Sequence, residues 1–208
     1  MNDRLNLASA QLSRMRSMTG MYHRRFFWDV NVTTLMVVGL FLVGWAGIPE
    51  AFLLVPVVAL IGATQTAFDA SYLVFARWYA VYLEGYLNEE VGVRVHVAGE
   101  LESTYLFELG TPKIVTVPVG GGFTWFSYMT VFYTVIGAVA YVFGLTLGWD
   151  VLVEASTPIT AVYLVALIGL TSSALLVGVW WFVSGEGERR LERVLENRFG
   201  EPLNRSDS

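Results

Sequence analysis

Cysteine is absent from this 208-residue sequence, which excludes disulfide bonds, thiolate catalysis and cysteine-ligated metal ions. Histidine is nearly absent too, and the only two copies, His23 and His96, lie far apart and fit no metal-ligand spacing. The sequence also lacks a phosphate-binding loop, a dinucleotide-binding fingerprint and the common hydrolase motifs. We therefore predict no catalytic residue, no metal ion and no cofactor, and we lean against an enzyme.

Charged residues are scarce: they make up 15% of the chain, against about 25% in an ordinary soluble domain. Hydrophobic residues make up 55% and concentrate in four stretches, each as long as the roughly 20 residues that a membrane-spanning helix needs. We predict an all-α integral membrane protein with four transmembrane helices, at residues 28–47, 51–78, 125–147 and 159–183. The lipid bilayer is then its first partner.

Basic residues are missing from two short connections, the one around Pro49 and the one between Gly148 and Pro158. All thirteen lysines and arginines precede the first stretch, lie between the inner end of the second (Arg77) and the start of the third, or follow the fourth. Because cytoplasmic flanks collect basic residues, this pattern predicts two antiparallel hairpins, 28–78 and 123–183, with both termini in the cytoplasm. We expect a multi-pass protein of the plasma membrane. A net charge of −5 without a long basic block argues against nucleic acid.

Three parts of the chain are predicted to lie in the cytosol: residues 1–27, 79–122 and 184–208. The first is an amphipathic helix, which packs either on its own chain or in the inner leaflet. The second span has no helix breaker after it, so we expect one helix of roughly 40 residues that extends into the cytosol. Alternating valines predict a short strand at 93–97, and 114–119 predicts another at a sheet edge, because it contains proline. The last part is a charged helix.

An aromatic stripe on the extended second helix is a candidate packing or partner face. Its tyrosines recur at spacings of three and four, and the C-terminal helix carries a complementary apolar stripe. We expect the two stripes to pack together in one cytosolic layer, unless a partner protein covers them. The residues are Tyr79, Tyr82, Tyr86, Leu191, Leu195 and Phe199.

Two acids near the inner membrane boundary form the candidate ion or ligand site. Asp29 opens the first span and Asp69 closes the apolar part of the second, so an antiparallel hairpin makes them neighbours. One interpretation is an interfacial anchor that pairs with Arg24 or Arg25. The other is an ion or proton site, because acids within a membrane are costly unless they are used. The neighbouring polar residues Gln65 and Asn31 are assigned to the same candidate site.

These features favour a non-enzymatic sensor, scaffold or assembly subunit that acts through its cytosolic layer. A small oligomeric ion channel or transporter is the alternative, since one four-helix bundle this apolar offers no continuous polar path. A membrane-embedded enzyme is the third hypothesis. The expected protein partner is a second copy of the chain or another subunit of a membrane complex.

Overall fold

The fold is known from a computed structural model, which describes residues 2–111, 113–118 and 122–198. Helices dominate it, and the strands are confined to one small hairpin. In chain order the elements are α1 (Asn2–Trp45), α2 (Ala51–Val91), α3 (Ala98–Tyr105), β1 (Lys113–Ile114), β2 (Val117–Pro118), α4 (Trp125–Leu147), α5 (Trp149–Glu154), α6 (Thr157–Gly178, continued by a π-helical turn, Val179–Val183) and α7 (Glu186–Arg198).

Four helices, α1, α2, α4 and α6 with its π-helical turn, are long and apolar enough to cross a membrane. The bounds of α4 coincide with the predicted span 125–147. Helix α6 starts two residues before its predicted span, and Pro158 lies in its first turn, where a missing N–H costs nothing. The chain is therefore a membrane-spanning protein by the length and composition of its helices.

Helix α1 is a single helix of 44 residues, about 66 Å long at 1.5 Å per residue. The predicted N-terminal helix and the first span are thus one element, because no proline interrupts the chain where its hydropathy changes. The apolar face of the N-terminal half is buried against the far end of α2. The residues in this cluster are Ala8, Leu12, Met15, Ala80, Leu83 and Leu87. This packing agrees with the first of the two interpretations of residues 1–27, a helix that packs on its own chain.

Helix α2 has 41 residues, close to the expected length, and ends where Gly92 adopts a left-handed conformation with φ of 72°. It runs antiparallel to α1, which it contacts along its whole length. Near the middle, a Cβ at Gly62 would lie 2.3 Å from Thr33, so only glycine allows the two helices to approach this closely. Towards the far end, Arg16 of α1 pairs with Glu84 of α2.

Helix α4 packs chiefly on α2 rather than on α6. A Cβ built at Gly144 would lie 2.7 Å from Cβ of Val55, which shows how near the two backbones are. Helix α6 is the least packed of the four, and Leu167 is its one buried residue among those described. The third and fourth helices are therefore consecutive in the chain without forming a tightly packed pair.

The predicted strand at 93–97 is absent from the described structure, because Asn88 at the end of α2 takes up its backbone groups. The Asn88 side-chain oxygen accepts from the amides of Val95, at 2.9 Å, and His96, at 2.8 Å. Its amide nitrogen donates to the carbonyl of His96 at 2.7 Å. These hydrogen bonds replace the ladder that a neighbouring strand would have supplied.

The predicted strand at 114–119 is instead a tight hairpin of two two-residue strands. Lys113 pairs with Pro118 and Ile114 with Val117, in antiparallel register. Val115 in the turn has φ of 60°, a conformation that costs a β-branched residue energy. The surrounding contacts must therefore hold this turn in place.

Candidate functional site

The helices meet the remaining elements at an aromatic cluster. Four phenylalanines from different parts of the chain lie in it: Phe26 of α1, Phe107 after α3, Phe126 of α4 and Phe182 of the π-helical turn. The part of the molecule beyond this cluster, away from the turn at 46–50, is called the basal layer here. It comprises α3, the β1–β2 hairpin, α7 and the adjoining ends of α1 and α2. Phe107 is fully buried, and each such side chain contributes about 1.5–3 kcal/mol.

Arg77 of α2 is the largest fully buried side chain described, and it organises the basal layer. Its guanidinium donates to the carbonyl of Phe107 at 2.7 Å and to the hydroxyl of Ser103 at 3.3 Å. Its Nε lies 3.5 Å from a carboxylate oxygen of Glu102, and the cation lies 4.6 Å from the centre of the Phe107 ring. A buried charge is tolerated only with such partners, so α3 and the chain after it are tied to α2.

A second buried cation, Lys113 of β1, ties the hairpin to α7. Its ammonium pairs with Glu188 in the first turn of α7, and it lies 5.5 Å from the Phe107 ring centre. Glu188 also accepts the amide of Gly110 at 3.1 Å. Burial lowers the pKa of Lys113 from its usual value, although the pair with Glu188 acts in the opposite direction. The two cations and their carboxylates therefore form one ionic network beneath the aromatic cluster.

Hydroxyl groups join the hairpin to α4. Thr116 and Thr130 share a hydrogen bond of 2.7 Å between their hydroxyls, and Ser127 donates to the carbonyl of Thr116 at 2.9 Å. Thr124 caps α4 by accepting the amide of Ser127 and also donates to the carbonyl of Leu106. The basal layer is thus fixed to the long helices at several independent points, as expected of one packed unit.

Tyr79 and Tyr86 of the tyrosine stripe pack against the cluster that the N-terminal half of α1 forms with α2. Helix α7 also contacts α2, and the pairing of its apolar stripe with the tyrosines stays a prediction. Tyr82 is half-buried, as are Leu191 and Leu195, whereas Phe199 lies outside the described residues. The buried seam of α2 is the neighbouring stripe, Leu73, Arg77, Ala80, Glu84 and Leu87. This buried stripe has the same heptad spacing as the tyrosine stripe. Two of its positions, Arg77 and Glu84, carry charged residues, and this was the sequence signal by which Arg77 could have been identified.

The predicted acid pair is brought together in the structure. Nε of Arg25 lies 3.3 Å from Oδ1 of Asp69 and 3.9 Å from Oδ2 of Asp29. Gln65, one turn away on α2, approaches Asp69, whereas Asn31 is exposed and lies apart from the pair. Neither oxygen of Asp69 receives a well-formed hydrogen bond, although its side chain is fully buried.

Three threonines near this pair in sequence form hydrogen bonds within their own helices. Thr34, Thr64 and Thr66 each donate to a carbonyl four residues earlier in their own helix, at 2.8–3.0 Å. Because these hydroxyls already donate hydrogen bonds within their own helix, they are poorly available to coordinate an ion. An exception is the contact of 3.0 Å between the hydroxyls of Tyr141 and Thr171, which links α4 to α6.

Concave surface is shallow in the described part of the chain. One groove of about 330 Å³ lies between α1 and α2 and is almost entirely apolar. Among the described residues, no group of three or more histidine, aspartate or glutamate side chains could hold a metal ion.

Comparison of the chain with protein families, curated proteins and solved structures finds no match.

Proposed function

We propose that the protein is a multi-pass plasma-membrane scaffold or assembly subunit whose basal layer lies in the cytoplasm and binds a protein partner. The observation that carries this proposal is the ionic network in which the buried cations Arg77 and Lys113 pair with Glu102 and Glu188, because it joins α2, α3, the hairpin and α7. A surface joined in this way, with no enclosed cleft found among the described residues, suits the recognition of a protein better than the turnover of a small substrate. A sensor role is compatible with the same architecture.

The distribution of basic residues supports the orientation. The short connections at the opposite end, 46–50 and 148–156, contain none, while Arg77 and Lys113 belong to the basal layer. Five more arginines lie in the N-terminal 25 residues of α1, which pack beside that layer. Basic residues on one side predict that side to be cytoplasmic. In this orientation the chain forms two membrane hairpins, and α1 and α2 both extend into the cytoplasm.

Exposed apolar side chains in the basal layer supply the surface for a partner. Leu101 and Tyr105, one turn apart on α3, are 63% and 73% exposed, and Val93 and Val95 are exposed just before α3. Lipid cannot account for these residues if the layer lies in the cytoplasm. Exposed apolar groups outside the membrane are typical of protein contacts. The expected partner is a subunit of the same membrane complex or a second copy of this chain.

The test is the mass of the protein purified in mild detergent, with a photo-crosslinking residue at Leu101 or Tyr105. We expect one defined complex, crosslinked through both positions and dissociated by Leu101→Ser combined with Tyr105→Ser. The matched control is the crosslinker at Leu54, which is 53% exposed on α2 within the predicted membrane span. A monomer with no specific crosslink from α3 would refute the scaffold.

A small oligomeric ion channel or transporter is the second candidate function, favoured by the buried carboxylate of Asp69. Proteoliposomes that carry wild-type protein or Asp69→Asn distinguish it from the scaffold. A channel requires ion flux from the wild type, and its loss in the variant would place Asp69 on the ion path. We expect no wild-type flux, because the hydroxyls around Asp69 bond to their own helices.

A further inference from the structure

We propose that Asp29 and Asp69 form a membrane-embedded site that binds one proton between their carboxyl groups. The two residues come from α1 and α2 and contact the same guanidinium: Nε of Arg25 lies 3.3 Å from Oδ1 of Asp69 and 3.9 Å from Oδ2 of Asp29. Oδ2 of Asp29 and both oxygens of Asp69 are buried, and none of the three receives a hydrogen bond. The donors nearby are Nε of Arg25 and the side chain of Gln65, and neither makes a well-formed hydrogen bond to these oxygens. The site is independent of the scaffold function proposed above, because it lies in a different part of the fold.

A shared proton satisfies this arrangement. With both carboxyls ionised, two like charges would lie side by side out of water, and their oxygens would lack the partners that buried acceptors need. A proton on one carboxyl converts the contact between two acceptors into an O–H···O⁻ hydrogen bond, which is among the stronger kinds in proteins. The geometry needs no other ligand.

Arg25 balances the charge that remains. Its side chain is about half exposed, and its Nε approaches both acids, so the singly protonated pair and the guanidinium are together neutral. The charged neighbours of Asp69 are Arg25 and Asp29, both on α1, and Gln65 is the neutral polar neighbour on α2 itself. A metal cation fits less well, because it would lie beside the guanidinium with only two carboxylate ligands.

The pair lies near the basal end of the membrane span, where Asp29 is 22% exposed and Asp69 is fully buried. Asp29 lies sixteen residues from Trp45 at the other end of α1, or about 24 Å, which is close to the inner edge of a hydrocarbon core of about 30 Å. Its neighbours Phe26 and Val30 belong to the buried aromatic cluster. The exposed part of Arg25 lies on the basal side, where protons can exchange with the aqueous phase.

Infrared spectroscopy of the full-length protein in detergent tests the site directly, because a protonated carboxyl has its own C=O band. We expect the band in wild-type protein at neutral pH and its loss in Asp69→Asn. It should also be lost in Asp29→Asn, since the new amide donates to Asp69, which then stays ionised beside Arg25. The matched control is Asp150→Asn, on the exposed helix α5, which should keep the band.

The proposal is overturned if wild-type protein has no such band at neutral pH, or if the band survives in both pair variants. Loss of the band on adding sodium at constant pH would assign the site to a metal cation instead. A second readout does not depend on the spectrum. A folded state that holds a proton which the unfolded chain releases loses stability as the pH rises. The unfolding midpoint should therefore fall more steeply with pH in wild type than in Asp29→Asn, and equal slopes would also refute the shared proton.

Discussion

Replacing Arg77 by methionine removes the central cation of the basal layer while it keeps most of the side chain's packing volume. The substitution deletes the hydrogen bond of 2.7 Å to the carbonyl of Phe107, the contact with Ser103 and the cation–π contact of 4.6 Å. It also leaves Glu102 without its pair. The helix itself should survive, because methionine is a good helix former.

The cost follows from these contacts. A hydrogen bond from a charged group contributes about 1.5–3 kcal/mol, and a desolvated cation–π contact about 2 kcal/mol. Glu102 is 29% exposed and can regain water, so its own penalty stays small. We expect a loss of about 3.5–5 kcal/mol, which is the hydrogen-bond and cation–π contributions together. Arg77→Lys keeps the positive charge but replaces the planar guanidinium, which donates through two nitrogens, by a single ammonium. Its cost should therefore be intermediate.

Trypsin cleavage after Lys113 is the most specific assay, because that side chain is 3% exposed and is out of reach while the basal layer stays closed. Arg77→Met should accumulate a fragment that ends at Lys113, and its unfolding midpoint in detergent should fall. Arg94→Met is the matched control: Arg94 pairs with Glu100, but both side chains are mostly exposed, so about 0–1 kcal/mol is at stake. If Arg77→Met behaves like Arg94→Met in both measurements, the basal layer is not held together as described.

Three further predictions concern orientation, packing and pH. Reporter fusions after Ile48 and Val153 should read outside and a fusion after Glu100 inside; a cytoplasmic signal at Ile48 would overturn the orientation. Gly144→Val should lower the unfolding midpoint, because its Cβ would lie 2.7 Å from that of Val55, whereas Gly137→Val has open space and should change little; equal effects would contradict the close α2–α4 contact. The pKa of Lys113 is lowered by burial, so the unfolded chain binds more protons between that pKa and about 10.4, and stability should rise with pH in that window. Lys113→Met should flatten this rise, and an unchanged slope in alkaline unfolding curves would refute the assignment.

The long helices were predictable from sequence, because each signal is local. The apolar run of α4 is bracketed by a capping residue, Thr124, and by Gly148, so its bounds can be read directly. The boundary between residues 27 and 28 was misplaced for a physical reason. Hydropathy changes there, but helix continuity depends on the backbone, and nothing in the sequence breaks it. The prediction of a strand at 93–97 was wrong because an alternating pattern does not by itself provide a neighbouring strand. The backbone amides of Val95 and His96 donate to the Asn88 side chain instead.

Some contacts of the candidate sites could likewise be predicted from the sequence, and others could not. The proximity of Asp29 and Asp69 follows from antiparallel registration across a short turn, so it could be predicted. The partner of Arg77 could not, because Phe107 lies thirty residues further on and is placed there by α3 and the irregular chain around it. The tyrosine stripe shows a third case: two neighbouring heptad stripes share one helix, and only packing decides which becomes the seam.

The continuity of α1 and α2 has a mechanical consequence. Two helices that cross the aromatic cluster without a break, and that are packed together beyond it, form a stiff lever rather than a span joined to a separate domain. Because neither helix is broken along its length, a movement at one end is transmitted to the other. For about 30 Å of projecting helix, a tilt of about 10° in the membrane moves the far end by about 5 Å. Helices tilt when bilayer thickness changes, so in the orientation proposed above such a change would move the basal layer.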